Sequence, residues 1–186
     1  MPPDPGDARP ASGGAGDAEV LRIREAARAI ILTDRREILL VRFEFPAGTR
    51  WAVPGGGIDA GETAHDAIRR ELREEVGFDD IEIGPHVWTR LHVIPFLNHM
   101  FDGQRDRFHL VRVPTRFEPR PHLTWEQLNA EFVFELRWWT LDEIRESDTT
   151  FAPRTLGTRL TELFAALDTM EAGAIVPADW PLDIEV

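Results

Sequence analysis

Four glutamates lie close together in the sequence at spacings that could support catalysis. Glu71, Glu74 and Glu75 stand at positions i, i+3 and i+4, and Glu62 lies nine residues before the first of them. Because residues three and four apart share one face of an α-helix, a helix here would direct the last three carboxylates towards one patch of space. Like charges at this spacing destabilise a helix by roughly 0.2–0.5 kcal/mol per pair, whereas a Mg²⁺ ion takes several oxygen ligands and would reverse the repulsion. The pattern indicates a metal-dependent enzyme.

The same three glutamates could instead form an acidic helix face that is simply solvated. Such a face is normally balanced by bases at i+4. The residue four after Glu71 is another glutamate, and the bases close in sequence are Arg70 and Arg73. On spacing alone, both interpretations stay open.

The whole segment Gly56–Phe78 resembles the signature motif of the Nudix hydrolases. That motif is a glycine, five residues, a glutamate, seven residues and then Arg-Glu-apolar-any-Glu-Glu-any-Gly-apolar, and the sequence departs from it nowhere. The matching residues are Gly56, Glu62, Arg70, Glu71, Leu72, Glu74, Glu75, Gly77 and Phe78. The preceding stretch Trp51–Gly57 (WAVPGGG) is also similar to the family's approach to its motif. The resemblance extends from about Glu25 to about Ala166.

This resemblance implies hydrolysis of the pyrophosphate bond in a nucleoside diphosphate that is linked to another moiety. The family's glutamates bind Mg²⁺ or Mn²⁺, which implies Glu74 and Glu75 as metal ligands, and Glu71 as both a metal ligand and a candidate base. A metal-bound water has a lowered pKa, so a modest base is sufficient. The carbonyl of Gly55 is expected to join the metal ligands, as the equivalent backbone does in several relatives.

Arg70 and Glu62 are expected to form an ion pair that fastens the loop to the helix. An arginine can hold a carboxylate with two parallel hydrogen bonds, which fixes their relative orientation. By resemblance this pair orients the catalytic helix, so Arg70 is counted among the catalytic residues.

Residues outside the motif supply further candidates. In the family a further acid often completes the site, and Glu135 and Glu131 are candidates for it, although Glu135 is equally well explained as an ordinary strand residue. Arg42, Arg50 and Arg90 could meet the substrate's phosphates, but each is more readily explained as a surface arginine.

A few sequence features bear on the substrate. Phe45 is a candidate for base stacking, worth roughly 1–3 kcal/mol, although most of the candidate rings are expected to belong to the core: Phe43, Phe45, Trp88, Phe96 and Phe101. Relatives acting on diadenosine polyphosphates often carry a tyrosine after the motif, and this chain has none. Pro95 lies 17 residues after Phe78, close to but out of register with the proline of ADP-ribose hydrolases. An ADP-ribose-like compound or a nucleoside triphosphate is the expected substrate.

Other functions are known on the same scaffold. One is a non-catalytic module that senses a nucleotide ligand, since a fold does not imply a function. Such modules commonly have a degraded motif and an added DNA-binding domain, and neither is visible in this sequence. Isoprenoid isomerases on this scaffold need a catalytic cysteine, and the chain contains no cysteine.

The composition limits the partners. A net charge of −12 opposes binding of a long nucleic acid, whereas a cation and a few local arginines can still hold a small nucleotide. No apolar run approaches the roughly 18 residues of a membrane span, and the N-terminus has no secretory pattern, so a cytoplasmic protein without membrane contact is expected. Because many relatives dimerise, a homodimer is also expected.

Hydrophobic periodicity predicts the elements that must position these residues. Ile68, Leu72 and Val76 form a core stripe beside the glutamates on a helix that begins near Glu62–Thr63 and ends at Gly77. The other predictions are strands at 26–33, 37–42, 51–53, 81–95, 107–113 and 132–140, loops at 43–50 and 101–105, and helices at 141–146 and 155–168.

The order of these elements suggests an α/β fold, and the Nudix resemblance implies an α/β/α sandwich with a mixed sheet. A chain of 186 residues fits one domain. We expect a disordered segment at residues 1–18, the domain at 19–170, and a tail at 171–186 that packs on the body or on a partner.

Overall fold

The computed structural model describes residues 21–93, 100–171 and 176–184. Within these residues the chain forms nine strands and four helices. They are β1 (Ile23–Thr33), β2 (Ile38–Phe45), β3 (Gly48–Ala52), β4 (Gly55–Gly57), α1 (Ala64–Glu75), β5 (His86–His92), β6 (Gly103–Val113), α2 (Trp125–Ala130), β7 (Val133–Trp139), α3 (Leu141–Glu146), β8 (Phe151–Ala152), α4 (Leu156–Glu171) and β9 (Leu182–Asp183). The predicted disordered segment 1–18 and Pro95 lie outside the described residues.

The sheet is mixed, and β1 is its central strand. β1 pairs in parallel with β6 along its whole length, while its other edge is shared between β4 at residues 26–28 and β2 at Leu32. The strand order is β8-β3-β2-β1-β6-β5-β9, with β4 added on β1 and β7 on β2. The predicted α/β class with a mixed sheet is confirmed.

Alternating residues of β1 face two different layers, as the pleat of a strand requires. Ala29 and Ile31 pack in one cluster with Ile68 of α1. Ile30 packs in another cluster with Leu160 of α4. Helices therefore cover both faces of the sheet, in the sandwich arrangement expected from the sequence. No helix within the described residues is long and apolar enough to cross a membrane.

Helix α1 begins and ends close to where the sequence predicts. Thr63 is its N-cap, and Thr63 and Asp66 hydrogen-bond reciprocally in a capping box. Gly77 follows the helix with a φ of 90°, a left-handed conformation that favours glycine. The predicted core stripe is fully buried against the sheet: Ile68, Leu72 and Val76.

Two predicted loops are wrong. Residues 43–50 form a hairpin, because β2 continues to Phe45 and pairs there with Gly48 at the start of β3. Residues 103–105 belong to β6, where they pair with the first residues of β1. In both places the composition suggested a turn, but pairing with a neighbouring strand decided the conformation.

Helix α2 was not predicted at all, and β5 begins at His86 rather than at residue 81.

The described part of the tail packs on the body of the protein. Leu182 pairs in parallel with Trp88 of β5, and Ile184 is buried in the same cluster as α4. The sequence predicted that the tail packs either on the body or on a partner, and its described residues pack on the body.

Candidate active site

Two of the three glutamates of α1, Glu71 and Glu75, contact the glycine strand β4. Glu71 and Glu75 are buried, at 8% and 4% exposure, whereas the side chain of Glu74 is 38% exposed. A Cβ added to Gly56 would lie 2.2 Å from Oε1 of Glu71. The Glu71 carboxylate therefore lies directly against the backbone of Gly56, and a side chain at position 56 would displace it.

Glu75 is the most deeply buried of the three. Its Oε2 accepts a hydrogen bond of 3.2 Å from the backbone N–H of Gly55, which is the one such bond to this carboxylate within the described residues. Burial, followed by the charge of Glu71, raises the pKa of Glu75 to about 8. The pKa of Glu74 is raised for the same two reasons. Within the described residues the charge of Glu75 is thus poorly compensated, whereas Arg70 lies 2.7 Å from Glu71 and 3.7 Å from Glu74.

This set of carboxylates fits a hard divalent cation, which would offset their repulsion. No three His, Asp or Glu side chains of the described chain already converge closely enough to enclose an ion. Glu71, Glu74 and Glu75 would therefore share the ion with water, and Mg²⁺ usually keeps several water ligands.

Arg70 ties α1 to the loop that precedes it. Its Nε and Nη2 donate to the two carboxylate oxygens of Glu62 at 2.8 and 2.9 Å, and Nη2 also donates to the Gly57 carbonyl at 2.9 Å. Its Nη1 donates to Oε1 of Glu71 at 2.7 Å. The hydrogen bonds from Arg70 lower the pKa of Glu62 to about 2, with help from the backbone N–H of Asp59. The predicted pair is present, and the same guanidinium positions Glu71.

The carbonyl of Gly55 already has a partner. Nη1 of Arg28 donates a hydrogen bond to it, and Nε of Arg28 donates to Oδ1 of Asp106 at 3.1 Å. Gly55 itself has a φ of 122°, and a Cβ there would lie 2.4 Å from the carbonyl oxygen of Ala27. Metal ligation by this carbonyl stays a prediction, and it would require Arg28 to share the oxygen.

The two acids predicted outside the motif have different surroundings. The charge of Glu131, at the end of α2, is among the smaller causes that raise the pKa of Glu74 and of Glu75. Glu135 lies on β7 opposite Arg42, and its carboxylate accepts a 2.8 Å hydrogen bond from Nε of Arg42. Glu131 is thus within electrostatic reach of the α1 glutamates, while Glu135 is engaged by an arginine.

A cleft of about 320 Å³ adjoins this site, and Arg28 connects the two because it lines the cleft and binds Gly55. Three of the four predicted substrate-binding residues line the cleft: Arg50, Arg90 and Phe45. Arg154 also lines it, and no Asp or Glu of the described residues does. In a chain of net charge −12, this cleft is a locally positive surface.

The fourth predicted residue, Arg42, does not line the cleft. It is paired with Glu135 and with Glu44, its neighbour on β2. Its charge is therefore already neutralised on the strand, and its role in substrate binding stays a prediction.

Two of the cleft's arginines are held by a buried acid. Asp106 is completely buried, and it binds Arg28 at 3.1 Å and Nη2 of Arg90 at 2.6 Å. Burial opposes ionisation of Asp106, but the guanidinium groups of Arg28 and Arg90 prevail and lower its pKa. Asp106 thereby fixes the side chains of Arg28 and Arg90 where they line the cleft.

The other two arginines are available to a ligand. Within the described residues neither Arg50 nor Arg154 has a carboxylate partner, and Nε of Arg50 is buried without a hydrogen bond. The guanidinium of Arg50 lies over the ring of Phe45, 5.2 Å from its centroid. Sequence reasoning missed Arg154 and Arg28. Arg28 did leave a signal, since it is a charged residue inside the apolar run of β1.

Comparison with known sequences finds relatives of this chain. Residues 22–158 match the NUDIX domain family. An RNA pyrophosphohydrolase of Helicobacter pylori (strain G27) is 43% identical over 68 residues, which cover 34% of this chain and 44% of that protein. The chain spans about half the length of the curated relatives that it matches.

Solved structures share the fold. A MutT NUDIX hydrolase from Burkholderia pseudomallei is 25% identical, with a TM-score of 0.51 and coverage of 65% of this chain and 85% of that chain. The NUDIX domain of Shewanella oneidensis NrtR, complexed with ADP ribose, is 18% identical, with a TM-score of 0.57 and coverage of 76% and 88%.

Proposed function

The chain belongs to the NUDIX domain family, and from this premise we propose that it hydrolyses the pyrophosphate bond of a nucleoside diphosphate linked to another moiety. The proposed cofactor is Mg²⁺ or Mn²⁺. The proposed substrate is a small nucleotide, either an ADP-ribose-like compound or a nucleoside triphosphate.

One observation carries the proposal. Glu71 and Glu75 are buried against the glycine strand, and the pKa of Glu75 is raised to about 8 by burial and by Glu71. A structural role explains Glu71, which is paired with Arg70 at 2.7 Å, but it does not explain Glu75. Burying a carboxylate that has no ionic partner among the described residues destabilises a fold. A divalent cation at this place does explain it.

In the reaction, water attacks one phosphorus, the bond from that phosphorus to the bridging oxygen breaks, and two phosphate products and a proton leave. Glu71, Glu74 and Glu75 would hold the Mg²⁺ or Mn²⁺ ion, which would supply Lewis acidity: a lower pKa for water and less negative charge on the phosphate oxygens. Glu71 is the proposed base, and Arg70 holds its carboxylate at 2.7 Å. Glu62 in turn orients Arg70, and the N–H of Gly55 orients Glu75.

The substrate is proposed to occupy the cleft beside Arg28. Guanidinium groups without acidic partners suit phosphate groups, and aromatic rings suit a nucleobase. The curated relatives named above are RNA pyrophosphohydrolases, and the pyrophosphate bonds of an RNA lie at its 5′-polyphosphate end. The net charge of −12 favours a small nucleotide for this chain.

A hydrolysis panel tests the proposal. It contains ADP-ribose, NADH, diadenosine polyphosphates, normal and oxidised dNTPs, and a 5′-triphosphorylated RNA, each with Mg²⁺ or Mn²⁺. We expect metal-dependent release of a nucleoside monophosphate, and we expect Glu74→Gln to lose most of the turnover. Glu82→Gln, which removes an exposed carboxylate outside the site, is the matched control. Wild-type turnover in EDTA, or full activity of Glu74→Gln, would contradict the proposal.

The same panel separates catalysis from ligand sensing. Binding of a nucleotide without turnover of any compound would favour a sensing module. The intact set of motif glutamates supports catalysis.

We also propose a homodimer in solution. Light scattering checks this directly, and a monomeric mass at micromolar concentration would reject it.

A further inference from the structure

The turn between α2 and β7 carries an exposed aromatic side chain on a strained backbone. Phe132 has a φ of 66° and is 44% exposed. Bulky residues rarely adopt this left-handed conformation, because Cβ then crowds the following carbonyl oxygen. Such outliers persist where the surrounding structure enforces them, and they cluster at ligand-binding sites.

The surrounding structure does enforce the conformation of Phe132. Its N–H donates to the carbonyl of Asn129, and its carbonyl accepts from the N–H of Glu44, both at 3.0 Å. Leu128 and Val133, on either side of the turn, are completely buried in one small cluster. The ring is thus exposed on a turn whose backbone is held by hydrogen bonds and by buried residues on either side.

The ring of Phe132 lies next to the cleft. Its centroid is 5.3 Å from that of Phe45, which lines the cleft. The segment before α2 is attached to α1, because the N–H of Leu123 donates to the backbone carbonyl of Glu74 at 3.2 Å.

The ring of Phe45 already packs against other side chains of the protein. Phe43 stacks with it at 5.7 Å and an interplanar angle of 8°, and the Arg50 guanidinium lies over it at 5.2 Å. Phe132 contacts one aromatic ring within the described residues, that of Phe45, and much of its surface faces solvent. Of these two adjacent rings, Phe45 lines the cleft, and Phe132 beside it has the more exposed surface for stacking.

We propose that Phe132 stacks on the nucleobase of the substrate and that the left-handed turn holds its ring in place for this contact. The assignment rests on the proposed function, because it identifies the base-binding part of the same site. Stacking recognises the π face that every base has, so this contact favours nucleotides over sugar phosphates without selecting one base.

Two product-like inhibitors that differ only in the base test the assignment. AMP carries adenine, and ribose 5-phosphate lacks it. We expect Phe132→Leu to raise the Ki of AMP and the KM of ADP-ribose roughly 5- to 150-fold, the factor that one base–aromatic stack corresponds to. The Ki of ribose 5-phosphate should not change, and Phe132→Trp should restore AMP binding. Trp125→Leu, at a ring that is 49% exposed on α2, is the matched control and should have no effect.

Phe132→Gly separates ligand binding from packing. Glycine relieves the left-handed backbone, so we expect an unchanged or higher Tm together with weaker AMP binding. A lower Tm with unchanged AMP binding would assign the ring a packing role and overturn the proposal. Equal changes for AMP and ribose 5-phosphate, or loss of self-association with AMP binding intact, would also overturn it.

Failure of the proposed function gives a different result. If wild-type protein hydrolyses no nucleotide, calorimetric titration with AMP and ribose 5-phosphate still tests the stacking contact. If hydrolysis occurs and Phe132→Leu binds AMP normally, only the stacking assignment fails.

Discussion

At the scale of single residues, desolvation dominates the chemistry of Glu75. The side chain is 4% exposed, and within the described chain its carboxylate has one hydrogen-bond donor, the N–H of Gly55. A buried carboxyl with so little compensation favours its neutral form. Ionisation of this carboxyl therefore destabilises the unliganded protein, and a cation bound there, as proposed, would offset that cost.

Glu75→Gln is therefore expected to stabilise the protein in EDTA near pH 8. The folded-state pKa of about 8 lies above the ordinary value of 4.5. The folded protein binds this proton more tightly than the unfolded chain does, so stability is lost as the pH rises from about 4.5 through about 8. Glutamine keeps the shape and the acceptor for Gly55. Urea unfolding across this pH range should show a gain of roughly 1–3 kcal/mol at the alkaline end.

Magnesium should reverse the order of stability of the wild type and Glu75→Gln. A ligand that binds only the folded state raises its stability, so Mg²⁺ should raise the Tm of the wild type and leave Glu75→Gln unchanged. Glu82→Gln, at an exposed position, should respond to Mg²⁺ like the wild type. An equal Mg²⁺ response in Glu75→Gln would remove Glu75 from the metal ligands.

At the scale of elements, the glycine strand β4 leaves the space that the Glu71 carboxylate of α1 occupies. β4 pairs with β1 on one side and meets Glu71 on the other, where the side chain leaves no room for a Cβ on Gly56. Gly61, in the following turn, has a φ of 89° and open space around it. Gly56 leaves room for the Glu71 carboxylate, whereas Gly61 provides a left-handed backbone angle.

The two glycines should respond in opposite ways to alanine. Gly56→Ala pushes the Glu71 carboxylate away, so we expect kcat to fall on the order of 10²-fold with little change in Tm, because the displaced group is the end of a flexible side chain. Gly61→Ala should cost about 1 kcal/mol of stability through backbone strain and keep kcat. Steady-state kinetics and thermal unfolding of both variants check this, and loss of stability without loss of kcat in Gly56→Ala would refute it.

At the scale of the whole molecule, three histidine rings are in contact where helix α1 meets the sheet. His65 lies at the start of α1, His86 on β5 and His109 on β6. The ring of His109 lies 4.9 Å from that of His86 and 4.8 Å from that of His65. Burial is the largest cause that lowers the pKa of His109, and the charges of His86, His65 and Arg107 act in the same direction, while a hydrogen bond with the Gly84 carbonyl opposes them; together they bring this pKa to about 4.

The cluster predicts loss of stability in mild acid. The pKa of His109 is lower in the folded protein than its ordinary value of 6.5. Protons therefore favour the unfolded chain, and stability falls as the pH drops from about 6.5 to about 4. We expect His109→Gln to reduce this fall by roughly 1–3 kcal/mol in urea unfolding. His122→Gln, at an exposed position, is the control, and an acid profile of His109→Gln identical to the wild type would refute the prediction.

The sequence predicted those features whose geometry is local. The glutamate stripe and core stripe of α1 follow from the 3.6-residue repeat, and the helix ends follow from Thr63 and Gly77. The Glu62–Arg70 pair was predictable because its partners are eight residues apart in the chain. The predicted loop at 43–50 and the last three residues of the predicted loop at 101–105 were wrong, because pairing with another strand overrides local composition.

By itself, then, the sequence determined helix α1, the carboxylates that share one of its faces, and the cation chemistry proposed for them. Only the tertiary structure decided which residues line the cleft proposed to hold the substrate. Pairing of β2 with β7 places Arg42 against Glu135, while Arg50 and Arg154 come together in one cleft although they are far apart in the chain. The exposed ring of Phe132 depends on a left-handed turn that its sequence does not favour. The physical reason is that helical neighbours are set by the repeat of one segment, whereas the neighbours of a strand or turn residue are set by whichever distant segments pack against it.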